Sequence, residues 1–158
     1  MNPYAFITGA TSGIGLATAK ALAASHYDLV LAARNTEKLA RVKTDIEKES
    51  GVKVTTYALD VQDRAAILDV TSEVLDTFGA PDVLVNDAGL ARGLEPYQDT
   101  DPEDTMEMID TNIKGLFLVT RAFLPAMVKR NHGHVVNLVT STSGAPKVSS
   151  PSEVTSRM

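Results

Sequence analysis

The chain has 158 residues, 44% hydrophobic and 22% charged, which is enough apolar content for one buried core and too much for a disordered chain. A formal net charge of −5 excludes the basic field that draws nucleic acid, and the absence of cysteine excludes disulfides and thiolate metal sites. His26, His132 and His134 are not grouped with carboxylates as metal ligands, and the N-terminal stretch has neither a charged leader nor an apolar span of about 18 residues, so the expectation is a cytoplasmic protein with no metal and no membrane partner.

Apolar runs alternate with helical patterns along the chain, which predicts βαβ units and a parallel sheet. YAFIT, residues 4–8, is the first strand; a glycine-rich turn and a helix over 14–25 follow, then DLVLAA, 28–33, as the second strand. The helix over 36–50, opened by Asn35 or Thr36 and stopped by Gly51, sets Leu39, Val42 and Ile46 on one face. VKVTTYAL, 52–59, is the third strand. After Asp63 a helix places Ile67, Val70, Val74 and Leu75 on one stripe, and DVLVN, 82–86, is the fourth strand. Thr100 or Asp101 before Pro102 opens another helix. From about Asp110 a long helix carries Ile113, Leu116, Phe117, Thr120, Phe123, Leu124 and Met127 at helical spacing, Gly133 stops it, and HVVNLV, 134–139, is the fifth strand. The strands are nearly all apolar, as expected where helices cover both faces of a parallel sheet. The Ser- and Thr-rich end has neither period, so residues 1–144 read as one domain and 145–158 as an irregular serine-rich tail.

TGATSGIG, residues 8–15, stands between the first strand and the first helix. Gly9 permits the tight turn, Gly13 lets backbone approach a pyrophosphate, and Gly15 lets the helix pack closely with its N-terminal amides facing the anion. A glycine triplet also suits a plain turn; the strand-turn-helix setting favours a cofactor. At the end of the second strand stands neutral Ala33, and Arg34 follows it. A carboxylate there would accept from the ribose of NAD and repel a 2′-phosphate, so this pair points to NADP, with a solvated surface arginine as the alternative.

The spacing Gly-x-x-x-Gly-x-Gly after a threonine resembles the short-chain dehydrogenase/reductase family, and four later stretches match that family in order. They are LDV with Asp60 and Val61, NDAG with Asn86, Ala88 and Gly89, DTNIKG with Asn112, and GHVVNL leading to a serine. The resemblance runs from residue 4 to about 144. DAGLARGLEP, DTNIKG and TRAFLPAMVKRNHGHVVN resemble the branch of NADP-dependent serine and 3-hydroxy acid dehydrogenases. The resemblance implies an α/β fold, a Rossmann-like doubly wound parallel sheet in three α/β/α layers, with five strands present and the family's C-terminal strands missing. It implies NADP(H) as the cofactor, held by Gly9, Thr11, Ser12, Gly13, Ile14, Gly15, Arg34, Asp60, Val61, Asn86, Ala88 and Gly89. It also implies a small hydroxy acid or alcohol as the intact member's substrate, and a possible homo-oligomer. Asp60 equally suits a plain helix cap.

In the family an asparagine, a serine, a tyrosine and a lysine complete the site. The tyrosine passes the proton, the lysine one helical turn on lowers its pKa, the serine holds the substrate oxygen and the asparagine supports a water. Asn112 matches the asparagine. Counting back from Gly144 gives Ser141 as the serine, whereas counting forward from Asn137 gives Thr140; Ser141 fits better. Thr8, Leu31, Val61 and Asp101 stand four residues after the four tyrosines, so no Tyr-x-x-x-Lys is present, and the positions expected for the pair hold Val154 and Met158. Three readings follow: the cofactor half of an NADP-dependent oxidoreductase, inactive alone; a non-catalytic NADP-binding module, or a chain that pairs with an intact relative through residues 110–131; or a non-functional frameshifted or truncated product. Asp87 replaces the family's second asparagine, and losing an amide donor there puts the link between the first and fourth strands in doubt.

Overall fold

A computed structural model describes residues 2–92 and 95–138. Ser141, Thr140 and the expected boundary between residues 144 and 145 lie outside them. Five strands, β1 (Tyr4–Thr8), β2 (Asp28–Ala33), β3 (Val54–Ala58), β4 (Val83–Asn86) and β5 (His134–Asn137), form one sheet in the order β3-β2-β1-β4-β5. Every pairing is parallel, and Phe6 stands in register between Val30 and Leu84. The helices are α1 (Gly13–Ala24), α2 (Thr36–Ser50), α3 (Arg64–Phe78), α4 (Pro102–Ile109) and α5 (Leu116–Arg130).

Strand side chains alternate between faces, and each face meets its own helices. Ala5, Ile7, Leu29, Leu31 and Val85 pack with Ala19 and Ala23 of α1 and Leu39, Val42 and Ile46 of α2. On the opposite face Phe6, Val30 and Leu84 pack with Ile67 and Val74 of α3 and Val119, Phe123 and Met127 of α5. The Phe6 and Phe123 rings lie 4.5 Å apart between centroids. This is the three-layer, doubly wound arrangement read from the sequence. Among the described residues, no helix is long and apolar enough to cross a membrane.

Local chemistry sets the helix starts. Asn35 accepts from the Lys38 N–H at 2.8 Å, Asp63 from the Ala65 and Ala66 amides, and Asp101 from that of Glu103, with Pro102 in the first turn. Gly51 closes α2 in the left-handed conformation, at φ 68°. The start of α1 differs, because Ser12 is extended and its side chain makes no cap bond.

Two elements depart from expectation. The helix expected from Asp110 begins as a π-helical turn, Asp110–Gly115, that leads from α4 into α5. Its buried row is Thr111, Gly115, Val119, Phe123 and Met127, while Ile113 and Phe117 are 60% and 66% exposed. Apolar residues stand on two faces of this segment, and the approach of Gly115 to Val61 selects which one turns inward: a Cβ on Gly115 would meet Val61 Cγ2 at 2.6 Å. The second departure is β5, which lies at the end of the sheet order with Val136 41% exposed, so among the described residues helices do not cover it on both faces.

The link between β1 and β4 runs through Thr8, which corrects the expectation attached to Asp87. Buried Thr8 accepts at Oγ1 from the Asp87 and Ala88 amides, both at 3.1 Å, so the strands are joined there through backbone amides that any residue at position 87 supplies. Thr8→Val removes the acceptor of both amides while keeping the shape. Urea denaturation should show a loss of about 2 kcal/mol for Thr8→Val and under about 1 kcal/mol for Thr8→Ser. A valine variant as stable as the parent would show that the hydroxyl carries no weight.

Candidate functional site

Strand order reverses between β1 and β4, and in open α/β sheets ligands bind beyond the carboxyl ends of the strands at that point. A cleft of about 450 Å³ opens there. Its floor is the glycine loop, with Gly9, Thr11, Ser12, Gly13 and Ile14. One wall is Arg34, Asn35 and Lys38 after β2 with Leu59, Asp60 and Val61 after β3; the other is the run from Asp87 to Ala91 after β4, with Thr111 from the π-helical turn.

Each glycine in the loop has a separate reason to be there. Gly9 sits at φ 70° with its N–H on the Ala32 carbonyl at 3.0 Å, and a Cβ would strike the Asp87 carbonyl oxygen at 2.5 Å. Gly13 is also left-handed, at φ 54°, but a Cβ there would meet no protein atom within 4 Å. Its backbone therefore faces open cleft. Gly15 is buried beneath the loop, where a Cβ would lie 2.5 Å from both Asp87 Oδ2 and the Gly9 oxygen.

Arg34 is exposed on the rim, with no carboxylate within ion-pair distance among the described residues. Asp60 accepts at Oδ1 from the Gln62 N–H at 3.0 Å, which folds the turn after β3 and aligns Val61 along the cleft. Ala88 and Gly89 line the opposite wall.

Three of the expected residues stand behind the cleft. Gly15 is one. Asn86 is buried and donates from Nδ2 to Thr120 Oγ1 at 2.8 Å and Asn137 Oδ1 at 2.9 Å, so it braces β4 against α5 and β5. Asn112, in the π-helical turn, accepts at Oδ1 from the Leu90 N–H at 2.8 Å and donates from Nδ2 to the Leu90 carbonyl at 2.9 Å. The asparagine thus clamps the cleft wall after β4. Lys38, Leu90 and Thr111 line the cleft without having been singled out in the sequence. Lys38 had a readable signal in its place four residues after Arg34; Thr111 had none. Arg92 is paired with Glu107, Nε to Oε2 at 3.0 Å, and is not an open cation.

Burial pushes the Asp87 carboxyl above the ordinary carboxylate range, and an N–H bond from Gly15 pulls it part of the way back. For an acid whose folded pKa is raised, the folded state binds the proton more tightly than the unfolded chain, so stability falls as pH rises from the ordinary carboxylate range through the raised one. Asp87→Asn should remove this loss, gaining stability at neutral pH relative to the parent and little at acid pH. Thermal melts of both proteins across that interval check it, and parallel pH profiles would contradict it. Two tyrosines are tied away from the cleft. Burial, with Asp82 nearby, raises the Tyr4 phenol, which donates to the Gly79 carbonyl at 2.6 Å. Burial and its bond to Glu73 at 3.0 Å raise that of Tyr57.

Comparison with known proteins bears on this geometry. The family model described as short chain dehydrogenase matches residues 3–153. The NADP-dependent 3-hydroxy acid dehydrogenase YdfG of Salmonella typhi is 42% identical over 139 residues, covering 88% of this chain and 54% of that protein. An alcohol dehydrogenase from Thermococcus sibiricus, complexed with 5-hydroxy-NADP, superposes with TM-score 0.80 at 34% identity, covering 86% of this chain and 57% of that one. An NAD+-bound xylitol dehydrogenase superposes with TM-score 0.84 at 32% identity, covering 91% and 56%. The chain spans about half the length of the curated relatives it matches.

Proposed function

Because the chain belongs to the short-chain dehydrogenase family, we propose that its cleft holds NADP(H) and that the whole protein transfers hydride between NADP(H) and the hydroxyl or carbonyl of a small hydroxy acid or alcohol. The observation that carries this reading is the open, uncapped start of α1 beneath a cleft with Arg34 on its rim, which no carboxylate of the described residues pairs. Amides at the start of α1 suit a pyrophosphate, and the space where a Gly13 side chain would stand leaves room for it. Arg34 would take the 2′-phosphate by its planar fork, and Asp60 and Val61 would flank the adenine. Gly89 and the clamp of Asn112 on Leu90 would shape the nicotinamide end, and Ser141 would hold the substrate oxygen. When bound, NADP(H) supplies the hydride; this chain's residues bind and orient. Residues 1–144 make up the cofactor domain in this reading, with 145–158 outside it.

NADPH fluorescence titration of the chain against Gly13→Asp tests the proposal. Asp tolerates a left-handed backbone better than most residues and its Cβ would stand in open space, so folding should survive while its carboxylate faces the pyrophosphate. Saturable binding that weakens about tenfold or more is expected from like-charge repulsion at close range. Equal affinity in the two proteins would place the pyrophosphate elsewhere.

A further inference from the structure

We propose that Gln62 and Thr111 are positioning residues that tie the adenine end of the cleft to Asn112, so that filling that end tightens the clamp of Asn112 on Leu90; the proposal rests on reading the cleft as an NADP(H) site. Gln62 Nε2 donates to Thr111 Oγ1 at 2.8 Å, across 49 residues of sequence. Both ends of this bond are fixed. Gln62 is held by its own N–H on Asp60 Oδ1 and by the Asp63 amide on the Asp60 carbonyl, each at 3.0 Å. Thr111 is only 5% exposed and immediately precedes Asn112 in the π-helical turn.

Backbone packing reinforces the tie. A Cβ on Gly115 would lie 3.0 Å from the Val61 carbonyl oxygen as well as against its side chain, so the π-helical turn is seated directly on the turn after β3. Among the described residues, Gln62 to Thr111 is the only side-chain hydrogen bond between those two turns. π-helical turns are rare single-turn interruptions of helices, and they recur at functional positions. Ordering the Asp60 to Gln62 turn around a ligand would therefore reduce opening of the turn that carries Asn112. That is coupling through local order, and it has a direct observable in amide exchange. The chain of contacts runs Asp60, Gln62, Thr111, Asn112, Leu90.

The test uses the full chain and adenosine 2′,5′-bisphosphate, which carries no nicotinamide. Hydrogen exchange of the Leu90 amide, the donor to Asn112 Oδ1, is followed by NMR with and without saturating probe. Protection should rise about threefold to tenfold in the parent, in line with strengthening of one part-buried hydrogen bond. The rise should be absent in Gln62→Ala and Thr111→Val and restored in Thr111→Ser, while the Phe6 and Leu84 amides of the central strands do not respond. A merely structural bond would change exchange equally with and without the probe. If Thr111→Val does not fold, Gln62→Ala, at a half-buried turn position, carries the comparison. Probe that binds without altering Leu90, or that protects it equally in Gln62→Ala, overturns the tie and leaves the cofactor reading standing. Probe that does not bind at all overturns the cofactor reading and the tie with it.

Discussion

The purified 158-residue chain will oxidise NADPH in the presence of aldehydes, keto acids or diketones no faster than a protein-free blank. The short-chain dehydrogenase family relies on a tyrosine with a lysine four residues on, and these 158 residues contain no such pair. Tyr4 and Tyr57, both tied by hydrogen bonds, do not stand in for it. Tyr4 donates to Gly79 and Tyr57 to Glu73, both phenols are raised rather than lowered, and neither lines the cleft. Asn112 engages the Leu90 backbone through both Oδ1 and Nδ2. A general acid alone contributes about 10² to 10⁴ in rate, so its absence takes turnover below detection. Steady NADPH oxidation that disappears in Asn112→Ala would contradict this.

Gly9→Val should be the most destabilising single change in the cleft, at about 3 to 5 kcal/mol. Two costs combine. At φ 70° a β-branched residue is strained, by roughly 1–2 kcal/mol, and its Cβ would stand 2.5 Å from the Asp87 oxygen, 2.6 Å from the Asp87 carbonyl carbon and 2.8 Å from the Ala88 nitrogen. All three are backbone atoms of the segment that Thr8 holds, so none can move cheaply. Gly51→Ala is the internal comparison: φ is 68° and a Cβ meets nothing within 4 Å, so only the backbone strain of about 1 kcal/mol remains. Urea unfolding of the two variants separates strain from collision. Similar losses in both would mean that the close approach of Gly9 to β4 is not what the structure describes.

Much of the fold is legible because its signals are local. Asn35, Asp63, Asp101 and Gly51 mark helix ends by chemistry that acts within a few residues, and the structure uses each in that way. The first two strands and the glycine loop follow from hydrophobic runs with a turn between them. The face presented by the segment after Asp110 was not legible. Apolar residues at Ile113, Phe117 and Leu124 satisfy helical spacing as well as Val119, Phe123 and Met127 do, and the choice is made by Gly115 against Val61, 54 positions earlier in the chain. One extra residue in a π-helical turn leaves no mark on the pattern. The same distance problem hid Thr8, whose partners lie 79 and 80 residues away, and led to the misplaced concern over Asp87. In the candidate site, residues defined by chemical type, such as Gly13 and Arg34, were readable. Gln62 and Thr111 were not, because neither side chain has a local reason to be noticed until the fold brings them to 2.8 Å.

The central claim, that this cleft selects NADP(H) through Arg34, is tested most directly by calorimetric titration of the chain with NADPH and NADH, repeated for Arg34→Ala. A charge-assisted fork to a phosphate contributes about 1.5–3 kcal/mol, so NADPH should bind roughly tenfold to a hundredfold more tightly than NADH. In Arg34→Ala most of that preference should disappear, through weaker NADPH binding with NADH affinity unchanged. Equal affinities for the two nucleotides in the parent, or a preference for NADPH that Arg34→Ala leaves intact, would contradict the claim.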